Sequence, residues 1–402
     1  MNVVFFSPHF PPHYYHFCER LHSAGATVLG VGDAPWHELR PELRAVLTEY
    51  VHVPNPHSYE ALLRAVGYLT FRHGKLDRFE SLNEFWLESD ARIRTDFDIP
   101  GIQSDAVVEV RRKSRMKAAF RGVGLRVAPG ALAESLAEAR SVAGEIGYPL
   151  VAKPDDGIGG ANTHRLEGVA DLERVFASKP PGAFMLERYV DGRTVTFDGL
   201  TDRSGKIVFS VSHEYSDNVL EVVDGRLNPY YVTMREIAPD LEDAGRRCLR
   251  AFGTRERWFH LEFFRPRDGS ALVALEVNMR PPGGLLVDMM NYACDIDLYQ
   301  QWANVLLHDR FDQPWSRRYY CAYVGRRADR PYAWSHEQLV ARLGPALVHH
   351  QPMDALSLAV MCDYGYVVRY PEMADIRRAA GLIHLPAGEA PAGLAPADED
   401  SQ

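Results

Sequence analysis

The segment Ala274-Leu275-Glu276-Val277-Asn278-Met279-Arg280-Pro281-Pro282-Gly283-Gly284 holds the side chains best suited to chemistry. In an extended chain alternate side chains share a face, so Glu276, Asn278 and Arg280 project together while Leu275, Val277 and Met279 face a core. A carboxylate and an amide oxygen two residues apart are hard ligands of the kind Mg²⁺ takes, and the guanidinium beyond them suits a phosphoryl or carboxylate group. Glu262, in Phe259-His260-Leu261-Glu262-Phe263-Phe264, is a second carboxylate on the other arm of a β-hairpin, Trp258 to Asn278, with Asp268-Gly269 at its turn. Facing residues of an antiparallel pair share a face, so Glu262 joins Glu276 and Asn278 only opposite an even-numbered residue. A two-residue turn would set it opposite Leu275; the pattern therefore predicts a three-residue turn, Arg267-Asp268-Gly269, with Gly269 left-handed and Pro266 facing Ser270.

Solvated strands also alternate charged and apolar residues, so the hairpin needs support from elsewhere in the chain. Lys153 ends the strand Leu150-Val151-Ala152 and is followed by Pro154-Asp155-Asp156-Gly157-Ile158-Gly159-Gly160-Ala161. A lysine at a strand end before a glycine-rich loop brings an ammonium and several backbone N–H groups onto a polyphosphate. The basic helix Val107 to Phe120 carries Lys113 and Lys117 one turn apart on one face, so either can reach a site. Phe184-Met185-Leu186-Glu187-Arg188-Tyr189-Val190 reads as a strand leaving into a linker whose backbone can pair with an adenine edge.

Taken in this order, these segments resemble the ATP-grasp superfamily, and within it the carboxylate-amine ligases. The resemblance runs from Val107 to Asn304, with Glu276-x-Asn278-x-Arg280 and the lysines as its specific parts. It implies that Lys113 and Lys153, with Gly157, Gly159 and Gly160, contact the nucleotide phosphates, and that Glu187 with the Tyr189 and Val190 backbone holds the adenine. It further implies two Mg²⁺ ions, replaceable by Mn²⁺, on Glu262, Glu276 and Asn278, and catalytic roles for Lys153 and for Arg280, facing the phosphoryl or acyl group. Arg280, the Gly283-Gly284 backbone, His213, Glu214 and Tyr215 are candidates for the substrate wall. The activity implied is amide or peptide bond formation through an acyl phosphate with release of ADP and phosphate, the substrates being a small-molecule carboxylate and amine, preferably amino acids or peptides. A small-molecule kinase on the same fold and a non-catalytic nucleotide-binding regulator are the alternatives. Two departures stand out: Thr194 follows Asp191-Gly192-Arg193 where many relatives place a Glu, and Pro282-Gly283-Gly284 stands where biotin-dependent carboxylases have an acidic, histidine-containing stretch, which argues against carboxylation.

The elements that must carry these residues are of two kinds. Val3-Val4-Phe5-Phe6, a helix to Ser23 and Thr27-Val28-Leu29-Gly30-Val31 open a parallel α/β sheet, continued by Tyr50-Val51-His52-Val53 and Asp77-Arg78-Phe79. Its first turn, Ser7 to Pro12, contains no glycine, which disfavours a dinucleotide-binding fold. The expected organisation is an N-terminal parallel-sheet α/β domain (1–105), a two-lobed α+β nucleotide-binding domain (106–185 and 186–316), a small C-terminal appended unit (317–386) and a disordered tail (387–402), rich in Ala, Pro, Gly, Asp and Glu.

The chain has 402 residues, enough for several domains, and 54 acidic against 45 basic residues give a net charge of −9. No global basic field is available for nucleic acid or an anionic membrane, and no apolar run approaches the roughly 20 residues of a membrane helix. The N-terminus shows no signal-peptide pattern, so a cytoplasmic protein is expected, and a homodimer is compatible with all of this. The five cysteines form no CxxC pair and read as buried thiols. His9, His13 and His16 lack an acidic or cysteine companion and read as a polar loop entering a helix.

Overall fold

In a computed structural model of the chain, residues 1–158, 160–216, 228–353 and 358–389 are described. The tail expected over 387–402 lies, beyond Glu389, outside the described residues.

The N-terminal sheet contains β1 (Asn2–Phe6), β2 (Thr27–Gly32), β3 (Glu49–His52) and β4 (Arg78–Glu80), parallel and ordered β3-β2-β1-β4. The continuous apolar run of β1 reflects burial on both faces. Val4 and Phe6 pack with Leu62, Val66 and Leu69 of the helix Tyr59–His73, and Val3 and Phe5 with Phe17 and Leu21 of the helix Tyr15–Ser23. The second of these cores extends to Trp258 and Trp302, so the N-terminal sheet and the large sheet described below share a single hydrophobic interior.

A small antiparallel sheet follows: β5 (Gly130–Ala133), β6 (Leu150–Pro154), β7 (His164–Leu166) and β8 (Phe184–Arg188), ordered β5-β8-β6-β7. The helices Leu136–Ile146, opened by a Ser135–Glu138 capping box, and Val169–Ser178 bury Ala139, Ala143 and Leu172 with the inner residues of these strands. A lobe boundary at 185/186 would cut β8, which belongs wholly to this sheet; the chain leaves the lobe after Arg188.

The remaining strands are β9 (Gly192–Thr201), β10 (Ile207–Tyr215), β11 (Tyr230–Met234), β12 (Trp258–Pro266), β13 (Val273–Asn278), β14 (Tyr320–Arg326), β15 (Leu347–Pro352) and β16 (Tyr364–Tyr370). They form one antiparallel sheet ordered β13-β12-β9-β10-β11-β14-β16-β15. The segment 317–386, expected as an appended unit, instead extends this sheet: β14 pairs with β11 through Tyr231–Tyr323 and Thr233–Cys321, covering an edge that would otherwise stay open. Its helices His336–Leu343 and Met373–His384 close a core of Val232, Val324, Leu339, Val368 and Ile376.

One face of this sheet, with Val195, Phe197, Phe259, Leu261 and Phe263, packs on the helices Pro239–Ala251 and Lys113–Gly122. The opposite face carries Thr194, Thr196, Asp198, His260 and Glu262. Glu262 lies directly opposite Glu276, and His260 opposite Asn278, so the acidic residues of the two hairpin arms do share a face. The turn expected to achieve this does not form. Phe264 is the last residue of β12 paired with β13, opposite Val273, and residues 265–272 make a wider connection while Arg265 and Pro266 continue along β9. Gly269 is left-handed (φ 75°), as expected, but the parity is corrected within the strand, by a bulge that inserts Leu275 between the Glu262–Glu276 and Phe263–Ala274 pairs.

Gly245, in the helix Pro239–Ala251, sits where a Cβ would come within 2.2 Å of the Phe197 ring. Ala normally improves a helix interior, but here overpacking against a fully buried ring dominates. Gly245→Ala is expected to lower stability by about 1–3 kcal/mol, seen as a lower urea midpoint at an unchanged denaturant slope.

Candidate functional site

Between the small sheet and the hairpin lies a cavity of 320 Å³, within the range of small-molecule pockets. Its lysines come from two short elements. Lys113 and Lys117 stand one turn apart at the start of the helix Lys113–Gly122, whose entry is fixed by Asp155: its carboxylate accepts from Ser114 N at 2.8 Å and Ser114 Oγ at 3.0 Å, and its carbonyl from Lys113 N at 2.9 Å. Lys153 is the penultimate residue of β6 and projects into the same space.

The spacing left Lys113 and Lys117 as alternatives; both line the cavity, with different neighbours. Lys113 Nζ donates to the Gly157 carbonyl at 2.7 Å and lies 3.1 Å from Glu276 Oε1. Lys117 Nζ donates to the Ala274 carbonyl at 3.1 Å and lies 2.8 Å from Glu187 Oε1, while Lys153 Nζ lies 2.6 Å from Glu187 Oε2. Glu187 is thus a buried carboxylate between two buried ammonium groups. Burial alone would raise its pKa, but the charges of Lys117 and then Lys153 outweigh that and hold it down at about 2. Lys117 loses more to burial than it gains from Glu187 and falls to about 8, whereas for Lys153 the charges of Glu187 and Glu276 overcome burial and raise the pKa.

The hairpin forms the acidic wall. Glu262, Glu276, Asn278 and Arg280 all line the cavity. Burial raises the Glu276 pKa, Lys113 opposes this, and the neighbouring Glu84 and Glu262 carboxylates raise it further. Two facing carboxylates and an adjacent amide oxygen, crowded enough that one holds its proton more tightly, are a donor set that fits a divalent, oxygen-seeking cation such as Mg²⁺. Arg280 donates to Glu84 Oε2 at 2.8 Å and to the Pro281 carbonyl at 3.0 Å.

Glu84 is a cavity residue that the motifs did not reveal. It lies in the short 3-10 helix Glu84–Trp86 just past the C-terminal end of β4, beside β1, where the order of the parallel sheet reverses. That is where open parallel sheets place ligands, and locating the reversal is the signal that could have found it. His260 and Asp198 were missed as well; His260 precedes Glu262 by two residues and so shares its face.

Other expected residues lie elsewhere or are already engaged. Tyr215 lines the cavity, but His213, on the same face of β10, is fully buried beyond it with Nδ1 2.7 Å from Asp198 Oδ2. Glu214 projects from the opposite face and pairs with Arg193, because alternate strand residues cannot share a side. Gly283 and Gly284 do not line the cavity; Gly284 (φ 60°) sits against Met361. Gly157 and Gly160 do line it, and Gly159 lies outside the described residues. Tyr189 and Val190 border it, but the Tyr189 N–H is committed to the Pro149 carbonyl at 3.0 Å. Thr194, where a Glu was expected by resemblance, also lines it. His9 pairs with Asp33 and His16 with Glu19. No described helix is long and apolar enough to cross a membrane.

Comparison with known proteins matches residues 112–227 to the ATP-binding domain of the carbamoyl-phosphate synthase L chain. A carbamoyl phosphate synthase large chain of Myxococcus xanthus is 30% identical over 115 residues, 27% of this chain and 11% of the relative. An L-arginine-specific L-amino acid ligase of Bacillus subtilis is 20% identical over 244 residues, 58% of this chain and 59% of the relative. The chain therefore spans less than two thirds of the length of these curated relatives. Among solved structures, an L-amino acid ligase from Bacillus licheniformis shares the fold with a TM-score of 0.73 at 14% identity, over 94% of this chain and 95% of that one.

Removing the charge of Glu187 leaves two buried ammonium groups without their anion. Glu187→Gln is expected to cost about 3–5 kcal/mol at neutral pH. The deficit should shrink as pH rises towards about 8, the Lys117 value with Glu187 present, because the variant, lacking that anion, gives up the Lys117 proton at lower pH and above about 8 the wild type no longer has this ion pair to lose. It should shrink also in acid: the Glu187 contribution is complete above its ordinary value of 4.5 and is lost as pH falls towards about 2. Urea denaturation of both proteins across this range measures the difference; a deficit independent of pH contradicts the ion-pair account.

Proposed function

We propose that this chain is an ATP-grasp enzyme that carries out ATP-dependent ligation of a carboxylate to an amine. The observation that carries this reading is the convergence, in one cavity, of Lys113, Lys117 and Lys153 with the Glu262, Glu276, Asn278 and Arg280 wall of the hairpin. Such a cavity suits a polyphosphate with its cations, with room beside Arg280 for a second anion.

In this reading Lys113 and Lys153, with the backbone of Gly157, Gly159 and Gly160, hold the phosphates, and Glu187 lies towards the adenine. With the Tyr189 N–H committed to Pro149, the linker's pairing with the base falls chiefly to Val190. Glu262, Glu276 and Asn278 would hold two Mg²⁺ ions, with Mn²⁺ able to replace them. Bound there, the ions would neutralise charge on the terminal phosphates and polarise the phosphoryl group. Arg280 and Tyr215 orient the acid. An oxygen of its carboxylate attacks the γ-phosphorus and ADP departs, leaving an acyl phosphate. The amine nitrogen then attacks the carbonyl carbon, the C–O bond to phosphate breaks, and the nitrogen loses a proton. Little covalent chemistry falls to the protein; positioning and charge neutralisation are its contribution. Amino acids or peptides are the preferred substrates, as the names of the amino acid ligase relatives suggest. Action in the cytoplasm, as a homodimer, belongs to the same reading.

Pairs of amino acids supplied with MgATP are expected to release ADP and phosphate only when acid and amine are both present, and hydroxylamine in place of the amine should trap the acid as its hydroxamate. A stable phosphorylated product with ADP would identify a kinase, nucleotide binding without turnover a regulator, and AMP with pyrophosphate would overturn the acyl-phosphate route. Arg280→Ala should lower kcat by roughly 10²–10³, and Lys153→Ala should weaken ATP binding and turnover together.

A further inference from the structure

Beneath Glu262 lies a buried polar group that the proposed reaction does not use directly. His260, two residues earlier on the same face of β12, sits between two carboxylates: its Nδ1 is 2.5 Å from Asp198 Oδ1 and its Nε2 is 3.0 Å from Glu262 Oε1. Asp198, fully buried in β9 opposite His260, is held in turn by His213 Nδ1 at 2.7 Å and by the Thr196 hydroxyl on Oδ2. Both Asp198 oxygens are occupied, so this carboxylate is an anchor that cannot turn. On Glu262, the ring of His260 and the amide nitrogen of Asn278, at 3.4 Å, both address Oε1. No hydrogen bond among the described residues engages Oε2.

We propose that His260, clamped by Asp198, is a positioning residue that holds Glu262 by Oε1 and so keeps Oε2 presented to a divalent cation shared with Glu276. Facing carboxylates repel, and an unrestrained Glu262 side chain would swing away from Glu276. A histidine donating to both carboxylates blocks that rotation at its base. Burying three ionisable side chains where apolar ones would pack is costly for stability alone, which agrees with a role in orientation.

This inference rests on Glu262 being a cation ligand, and the test separates the two ideas. Mn²⁺ binding is measured by its paramagnetic resonance signal in the full-length protein with ADP present and without catalysis. Glu262→Gln is expected to weaken Mn²⁺ binding, and His260→Ala to weaken it roughly 10- to 100-fold. The glutamine amide reproduces the Nε2 position and can still donate to Glu262, so His260→Gln should stay within about threefold of the wild type on the scale of a retained outer-sphere bond. The asparagine amide reproduces Nδ1 and reaches only Asp198, so His260→Asn should fall with the alanine variant. A role confined to structure would rank the last two variants the other way. The double variant Glu262→Gln/His260→Ala should bind no worse than Glu262→Gln alone, because His260 acts through that carboxylate. Normal Mn²⁺ binding by Glu262→Gln would overturn the ligand reading and this inference with it. Loss in Glu262→Gln but not in His260→Ala, or additive losses in the double variant, would overturn the inference alone.

Discussion

Two carboxylates face each other across a hairpin, and much of the surrounding structure answers that arrangement. Directly opposed acidic side chains on an antiparallel pair are mutually destabilising, so Glu262 and Glu276 need partners of opposite charge. Each has one from a different direction: Lys113 reaches Glu276 from the start of the helix Lys113–Gly122, and His260 supports Glu262 from within the sheet. Burial and Asp198, with Glu262 contributing, act in opposition on His260; the carboxylates win and hold its pKa up at about 9. Burial pushes the Glu262 carboxyl up, and the same imidazolium pulls it below its ordinary value.

The cations of the cavity are arranged on the same logic. Lys117 and Lys153 share Glu187, Lys113 rests on Glu276 and the Gly157 carbonyl, and Arg280 rests on Glu84. Ammonium and guanidinium groups buried this deeply persist only with anions beside them. An incoming polyphosphate with its cations would offer both signs new partners, so the cavity can exchange internal ion pairs for bound ones while staying close to neutral.

The N-terminal sheet is more than a neighbour of this site. Glu84 holds Arg280, Glu80 accepts from Arg257 at 3.3 Å, and Arg78 pairs with Glu256 at 3.0 Å, so the end of β4 is tied by charge to both ends of the hairpin. The same two sheets share the hydrophobic interior that joins Phe5 and Phe17 to Trp258 and Trp302. The position of Arg280 is therefore set by packing between the two sheets as much as by the strand that precedes it.

Local periodicity determined a good deal on its own. The strand and helix segments of the N-terminal sheet, the strand ending at Lys153, the hairpin arms and the common projection of Glu276, Asn278 and Arg280 all follow from patterns a few residues long, because backbone geometry fixes which side chains share a face. What spans the chain was decided only by the tertiary structure. The number of residues in the turn was expected to set the hairpin register, yet the bulge at Leu275 restored the parity, and Leu275, which strict alternation assigns to the core with Val277, lines the cavity instead. His213 and Glu214 both looked available for the cavity, but sheet depth buries one and alternation turns the other away. Glu84 with Arg280, Lys117 with Glu187, and β14 on the edge of β11 join residues far apart in the chain. Such partners are selected by the desolvation cost of unpaired charges and unpaired strand edges, a cost that exists only once the chain has closed around them.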